Sequence, residues 1–255
     1  MIKISAVIIT FNEERNIKRC LESLKGIADE IVVVDSYSTD RTPEICEMYD
    51  VKFIQNPFTD FAAQKNFANS HTNHKFILSL DADESLSKKL RTSILNWKES
   101  GNHDAIKINR SNNYCGKWIK YSGWYPDSKY RLFDKTKARW TGEKVHEYLE
   151  VDEDAQKGKI EGDILHYSVY TIEQHIATIN KYSTLKAEIN FEKKKNTSYF
   201  KIILGPRIKF FKIFILKGGF RDGWSGYLIA KNSSYSDFLK HAKLRQLNAN
   251  AKKED

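Results

Sequence analysis

Four short runs of β-branched and apolar residues dominate the first eighty positions: Ile2–Ile9 (IKISAVII), Ile31–Asp35 (IVVVD), Val51–Ile54 (VKFI) and Phe76–Leu80 (FILSL). Runs that stay apolar at successive positions belong to strands covered on both faces, as parallel strands are. Helical spacing fills the gaps between them. Ile17, Cys20, Leu21 and Leu24 mark one helix, with Asn12 as a candidate cap. Thr42-Pro43 opens a second, with Pro43 at its first position. Residues 61–69 and Ser87–Trp97 supply two more. Strands alternating with helices predict an α/β fold with a parallel, doubly wound sheet.

The pattern changes after about residue 104. Strands are expected at Asp104–Arg110 and Lys129–Phe133, between long polar and aromatic loops, and from Thr171 onward the chain reads as helix. Thr171 and Gln174 have capping-box spacing. Ile172, Ile176, Ile179, Tyr182, Leu185 and Ile189 share one face of that helix, and two further helices are expected at Gly205–Lys217 and Trp224–Leu247. The expected organisation is an α/β domain at 1–165 followed by a helical C-terminal extension at 166–255.

In a parallel sheet, ligands bind beyond the carboxyl ends of the strands. Thr10-Phe11-Asn12-Glu13 follows the first strand, the stretch from Asp35 to Thr42 starts at the end of the second, and Asp81-Ala82-Asp83-Glu84 follows the fourth. All three polar clusters therefore fall on one edge. None contains the glycines of a dinucleotide-binding turn or a P-loop. Asp81 and Asp83, two residues apart, can hold a divalent cation that neutralises a diphosphate. Asn12, Glu13 and Asp35 can accept hydrogen bonds from a base and a ribose. Asp is also common in turns and caps, which is the alternative reading of Asp35 and, more so, of Asp40.

The segments TFNEE, VVDSYSTDRT and LDADE, in this order and spacing, resemble glycosyltransferase family 2, which has the GT-A fold: a Rossmann-like, mostly parallel sheet flanked by helices. GWYPDSKYRLF (123–133), RWTGEKVHE (139–147) and ILHYS (164–168) resemble the lipopolysaccharide or lipooligosaccharide core β-glucosyltransferases within it. The resemblance implies inverting transfer from a UDP-sugar, UDP-glucose above all, to a saccharide or glycolipid acceptor, assisted by Mg²⁺ or Mn²⁺. It places Thr10, Phe11, Asn12, Glu13, Asp35, Asp40, Lys65, Asn66 and Asp81 at the donor, and Asp81 and Asp83 at the metal. An inverting transfer needs a carboxylate to take the acceptor's proton. Glu147 is the first candidate, Asp127 the second and Glu143 the third. Trp124, Tyr125, Arg131 and His146 are candidates for acceptor contact, although aromatics more often fill core. Lys65 is expected on a solvated face unless the donor covers it. A polyprenyl-phosphate, capsule or protein glycosyltransferase of the same fold is the alternative enzyme, and an inactive sugar-binding or assembly protein the alternative class.

The net charge of +9 is concentrated. Between Lys193 and Arg221 there are nine Lys and Arg and no Asp or Glu. Ile208, Phe210, Phe211, Phe214 and Ile215 fall on one face of a helical wheel, with Lys209, Lys212 and Lys217 largely opposite. A basic helix with an aromatic face fits an anionic membrane surface. No nucleic-acid-binding motif accompanies it, so nucleic acid is not an expected partner. No stretch reaches the roughly 18 apolar residues of a membrane span. The N-terminal run reads as a strand rather than a signal peptide. Three scattered cysteines suit neither a disulfide framework nor a zinc site. The expected location is the cytoplasm, peripheral on the inner membrane.

Overall fold

The computed structural model describes residues 1–142 and 147–254. The chain divides into two compact units. The first comprises Met1–Ser111 and Asp127–Tyr167, the second Asn112–Pro126 and Ser168–Asp255.

The first unit begins with β1 (Ile4–Thr10), α1 (Ile17–Leu24), β2 (Glu30–Asp35), α2 (Thr42–Glu47), β3 (Lys52–Gln55), α3 (Phe61–Ser70) and β4 (Phe76–Asp81). The strands stand in the order β3-β2-β1-β4 and are parallel. β1 is buried at every position because both faces of the sheet are covered. Ile4, Ala6 and Ile8 join one apolar cluster with Leu21, Leu78 and Ile106, while Val7 joins another with Val32, Ile77 and Phe133. This is why the strand runs lack polar alternation. Register sets the ligand edge: Thr10 lies opposite Asp35, and Ile9 opposite Asp81.

Next come β5 (Glu84–Leu86), α4 (Lys88–Ser100), β6 (Ala105–Tyr114), β7 (Lys117–Trp118), β8 (Asp127–Asp134), β9 (Ala138–Thr141), β10 (Tyr148–Val151) and β11 (Lys157–Val169). The sheet continues β4-β8-β6-β11-β5, with β8 antiparallel to both β4 and β6, while β9 and β10 form a separate antiparallel pair. The sheet is thus mixed, parallel from β3 to β4 and antiparallel where β8 meets β4 and β6 and where β11 meets β5. β11 closes against the start of α4. Its Gly162 (φ +95) would place a Cβ 2.3 Å from the Leu90 nitrogen, so a side chain there meets backbone. Asp163 N–H donates at 3.0 Å to Ser87 Oγ, which also accepts from Leu90 N–H and so caps α4.

Three expectations need correction. Asn12 caps no helix. It has φ 54 and its Oδ1 accepts from Thr39 N–H at 2.8 Å, binding the loop after β1 to the loop after β2. The sequence reading missed β5, β7, β9, β10 and the 13-residue β11, where glycine, lysine and acidic residues obscure the alternation. A single cut near residue 165 also fails, because residues 112–126 group with the helices. Buried Asp222 explains that grouping: its carboxylate accepts from Lys120 N–H, Tyr121 N–H and Ser122 Oγ–H at 3.0–3.1 Å.

The second unit is built on α5 (Ile172–Glu192), α6 (Tyr199–Phe211) and α7 (Gly223–Glu254). Thr171 caps α5 by accepting from Gln174 N–H, and Gln174 Oε1 accepts from Tyr170 N–H. α6 runs into a π-helical turn, Lys212–Leu216, in which Lys217 N–H bonds Lys212 C=O at 2.9 Å. This i→i+5 step shifts the side chains out of the phase that a regular helix predicts. Ile213 becomes buried, and Phe210 and Phe214 stack on each other at 5.3 Å and pack on Tyr227. The expected aromatic face is therefore split. Phe211, Ile208, Ile215 and Leu216 stay exposed, and Phe210 and Phe214 do not. Lys217 packs close to Gly123. Among the described residues, no helix is long and apolar enough to cross a membrane.

Candidate functional site

The ligand edge of the first unit holds a continuous chain of ion pairs. Lys65, on α3, is 1% exposed; its ammonium lies 3.1 Å from Asp81 Oδ1 and 3.5 Å from Glu147 Oε1. Arg131, on β8, is 3% exposed and bonds Asp81 Oδ2 at 3.1 Å and Glu84 Oε1 at 2.9 Å. Arg110, on β6, reaches the same Glu84 oxygen at 3.3 Å and donates from Nε and Nη2 to Asp127 Oδ2 at 2.9 and 2.7 Å. Carboxylates and cations alternate along Glu147, Lys65, Asp81, Arg131, Glu84, Arg110 and Asp127. The two leading base candidates occupy its two ends. Burial alone would raise the Asp81 carboxyl, but Lys65 and Arg131 outweigh it and hold the group well below the usual carboxylate range.

This geometry revises several expected roles. Lys65 is buried, not solvated. Its charge is compensated by the two carboxylates and by the Trp140 ring, whose centroid is 4.5 Å away. Arg131 spends its guanidinium on Asp81 and Glu84, which leaves it to position Asp81 rather than to meet an acceptor. Asn66, expected at the donor, pairs its side-chain amide with the Trp140 backbone, donating to C=O at 2.8 Å and accepting from N–H at 3.1 Å. Asp81, expected as a metal ligand, already stands between two cations, which weakens its attraction for a third.

Asp83 points to different company. His166 Nε2 lies 3.1 Å from Asp83 Oδ2, and Tyr167 N–H donates to the Asp83 carbonyl at 3.0 Å. Glu13 is close enough to feel both side chains. Burial, offset by a 2.7 Å hydrogen bond from Asn16 and reinforced by the Asp83 and Asp40 charges, pushes Glu13 up to about 7. Among the described residues, no group of three or more His, Cys, Asp or Glu could enclose a metal. Asp83 and His166 can supply two ligands to an open site, whose remaining positions a diphosphate would fill. Their mixed oxygen and nitrogen set suits Mn²⁺ better than Mg²⁺, which takes oxygen ligands. His166 lies within ILHYS, but composition gave that segment no strand and the histidine no role. Replacing His166 by Ala is expected to abolish the Mn²⁺-dependent part of UDP binding while leaving the metal-free part intact, and Asp83→Ala is expected to do the same. Calorimetry with and without Mn²⁺ is the check, and a variant with unchanged Mn²⁺ dependence would remove that residue from the metal site.

The two loops after β1 and β2 bind each other. Asn12 N–H donates to Ser38 Oγ, Glu13 N–H to Thr42 Oγ1 and Glu14 N–H to Asp40 Oδ2, all at 2.8–3.0 Å. Burial raises Asp40, but bonds from Thr42 and the Glu14 N–H take it below its ordinary value, as befits a loop-fixing residue. Asp35 is fully buried and accepts from Ser38 N–H at 2.8 Å and from Ser38 Oγ–H. It fixes the loop after β2. Asp35→Ala is accordingly expected to cost about 1–3 kcal/mol of stability, by stranding the Ser38 donors, as well as UDP affinity. Urea unfolding and UDP calorimetry on one preparation test this; loss of affinity with unchanged stability would restore direct contact as its main role. Thr10 is 4% exposed, and its Oγ1 is buried without a hydrogen-bond partner among the described residues. Phe11 is exposed beside it.

Next to the ion-pair chain is a cavity of about 270 Å³, lined by Lys65, Arg131, Trp140, Glu147, Lys107 and Lys129 among others. Glu147 is about a quarter exposed there. His146 and Glu143 lie outside the described residues. Trp124 and Tyr125 belong to the second unit, where Trp124 packs edge-on against Tyr114 and His175.

The sequence profile of glycosyl transferase family 2 matches residues 5–150, the stretch that carries the strand-end clusters, the ion-pair chain and Glu147. The chain belongs to that family. It is 31% identical to the lipopolysaccharide core biosynthesis glycosyltransferase LpsC of Rhizobium meliloti, covering 96% of this chain and 93% of that one. It is 34% identical to an uncharacterized glycosyltransferase of Rickettsia bellii, covering 96% and 87%. Among solved structures, residues 1-349 of S. aureus TarS in complex with UDP align with 100% of this chain and 92% of that chain, at 14% identity and a TM-score of 0.49. The fold is the expected GT-A class, a mixed sheet flanked by helices with a helical C-terminal region.

Proposed function

We propose that this glycosyltransferase moves a hexose from a UDP-sugar, UDP-glucose being the expected donor, onto a lipopolysaccharide-core or other lipid-linked saccharide, with inversion. The observation that carries the reading is Glu147 on the cavity wall, joined through one buried lysine to the strand-end Asp81. The donor would rest on the loops after β1, β2 and β4, with its sugar towards the cavity. Glu147 takes the proton of the acceptor hydroxyl as that oxygen bonds to the anomeric carbon. The bond from that carbon to the diphosphate breaks on the opposite face. Asp127 is the weaker base because Arg110 grips it with two hydrogen bonds. A divalent cation held by Asp83 and His166 would neutralise the leaving diphosphate. The lipopolysaccharide-core acceptor is supported by LpsC, whose alignment extends over the helical unit. Proton NMR of the product tests the stereochemistry. An α-linked donor should give a β-linkage, and an α-linked product would overturn the inverting mechanism.

The same reading places the chain on the cytoplasmic face of the inner membrane. Its support is the exposed apolar set Phe211, Ile208, Ile215 and Leu216 amid Arg207, Lys209 and Lys212. Each basic residue near an anionic surface contributes about 1 kcal/mol, within a Debye length of about 8 Å. The purified protein is expected to bind phosphatidylglycerol vesicles, to bind phosphatidylcholine vesicles much less, and to be partly released by salt. Arg207→Glu/Lys212→Glu should weaken vesicle binding by more than about tenfold while sparing activity on a soluble acceptor. Co-sedimentation measures this; equal binding to both vesicle types would contradict it.

A further inference from the structure

The second unit holds a cavity of about 300 Å³ lined by His175, Ile179, Lys186, Lys209, Ser233, Ser236, Asp237 and Lys240. Its polar groups come from three helices: Lys186 from α5, Lys209 from α6, and Ser233, Ser236 and Lys240 from α7. Lys240 is paired with Asp237 at 2.7 Å. The side chains of Lys186, Lys209, Ser233 and Ser236 make no hydrogen bond or ion pair with any described residue. A helical serine commonly bonds back to its own helix, and these two do not. His175 adds a further donor. Tyr114 Oη and Asn232 Nδ2 both approach its Nδ1 at 3.0 Å, and the amide nitrogen can only donate, so the ring proton belongs on Nε2. Burial lowers the His175 pKa and keeps the ring neutral.

The lining is thus rich in donors and carries three ammonium groups against one carboxylate. Lys186 and Lys209 are exposed, and the Asp237 carboxylate answers one of the three ammonium charges, so the cavity keeps an excess of positive charge open to an anion. Lysines without an arginine fork suit a compact anion met by point charges, more than a planar carboxylate held at two points. Serine hydroxyls complete such a set. The volume exceeds what a phosphate group fills, which leaves space for the glycerol or sugar that bears it. We propose that this cavity is a phosphate-binding site, taking the phosphate of a lipid headgroup or of a soluble phosphate ester. It rests on the acceptor reading above only for the thought that a glycolipid would present such a group, because the site itself is independent of donor chemistry.

The test uses the full chain and inorganic phosphate, followed by calorimetry. Saturable phosphate binding is expected. Ser233→Ala/Ser236→Ala keeps every charge and favours helix, so folding is not at risk; it should lower phosphate affinity about tenfold. Lys186→Ala/Lys240→Ala should lower it at least as much. Lys195→Ala/Lys201→Ala removes the same charge from exposed positions outside the cavity and should leave affinity within about twofold. Competition then separates the sources. Displacement of phosphate by phosphatidic acid in phosphatidylcholine vesicles, but not by glycerol phosphate, identifies a headgroup site; the reverse identifies a soluble ester, and both sustain the proposal. No phosphate binding, an unchanged Ser233→Ala/Ser236→Ala variant, or equal loss in the Lys195→Ala/Lys201→Ala control would overturn it. UDP affinity measured on the same samples reports on the first unit, so failure of the glycosyl-transfer reading is seen separately.

Discussion

Glu147→Gln is expected to lower transfer by about 10²–10⁴-fold while leaving UDP affinity within about twofold. The amide fills nearly the same space on the cavity wall and can still accept a hydrogen bond from Lys65, but it cannot take the acceptor's proton. The affinity of the donor depends on other groups, the loops after β1 and β2 and the Asp83–His166 pair. The effect should therefore fall on kcat rather than on KM for the donor. Asp127→Asn discriminates. Asp127 is bound by Arg110 at 2.7 and 2.9 Å and is expected to act through that arginine. Its amide should cost far less in kcat, and some stability. If Asp127→Asn is inactive and Glu147→Gln is active, the base is at the other end of the chain.

The second large effect is on folding. Arg131→Ala should destabilise the protein by about 2–4 kcal/mol, because it removes the cation shared by Asp81 and the buried Glu84 and leaves each with one weaker partner, Lys65 at 3.1 Å and Arg110 at 3.3 Å. Glu84 is 1% exposed and would retain Arg110 at 3.3 Å and the Asp81 N–H, which donates to its Oε2 at 2.9 Å. Arg131→Lys should recover part of the loss, since one ammonium cannot serve both carboxylates as a guanidinium does. Thermal unfolding of the three proteins, monitored by circular dichroism, measures this. An Arg131→Ala variant that melts with the parent would show that water reaches both carboxylates and that the chain of ion pairs contributes little.

The first half of the fold was legible because each parallel strand is buried on both faces and its apolar run says so. The strand ends were legible for the same reason: once β1, β2 and β4 were located, Thr10, Asp35 and Asp81 had to share an edge. β11 was not, because a strand rich in lysine, glycine and acidic residues carries no strong period, and with it went His166. The ion-pair chain was hidden more deeply. Lys65, Glu84, Arg110 and Arg131 lie on four elements far apart in sequence, and only the antiparallel insertion of β8 beside β4 brings Arg131 to Asp81. A lysine in an amphipathic helix looks solvated until the partner strand is known. The split of Phe210 and Phe214 from Phe211 was likewise invisible, since it is set by the packing of Phe210 and Phe214 on each other and on Tyr227 of α7.

The most direct test of the central claim is release of UDP from UDP-glucose by the purified chain, with and without Mn²⁺ and a core-oligosaccharide acceptor. The expected result is slow, Mn²⁺-dependent release that the acceptor accelerates and that Glu147→Gln abolishes. Failure of the chain to bind or turn over any UDP-sugar, with or without metal and acceptor, would contradict the account.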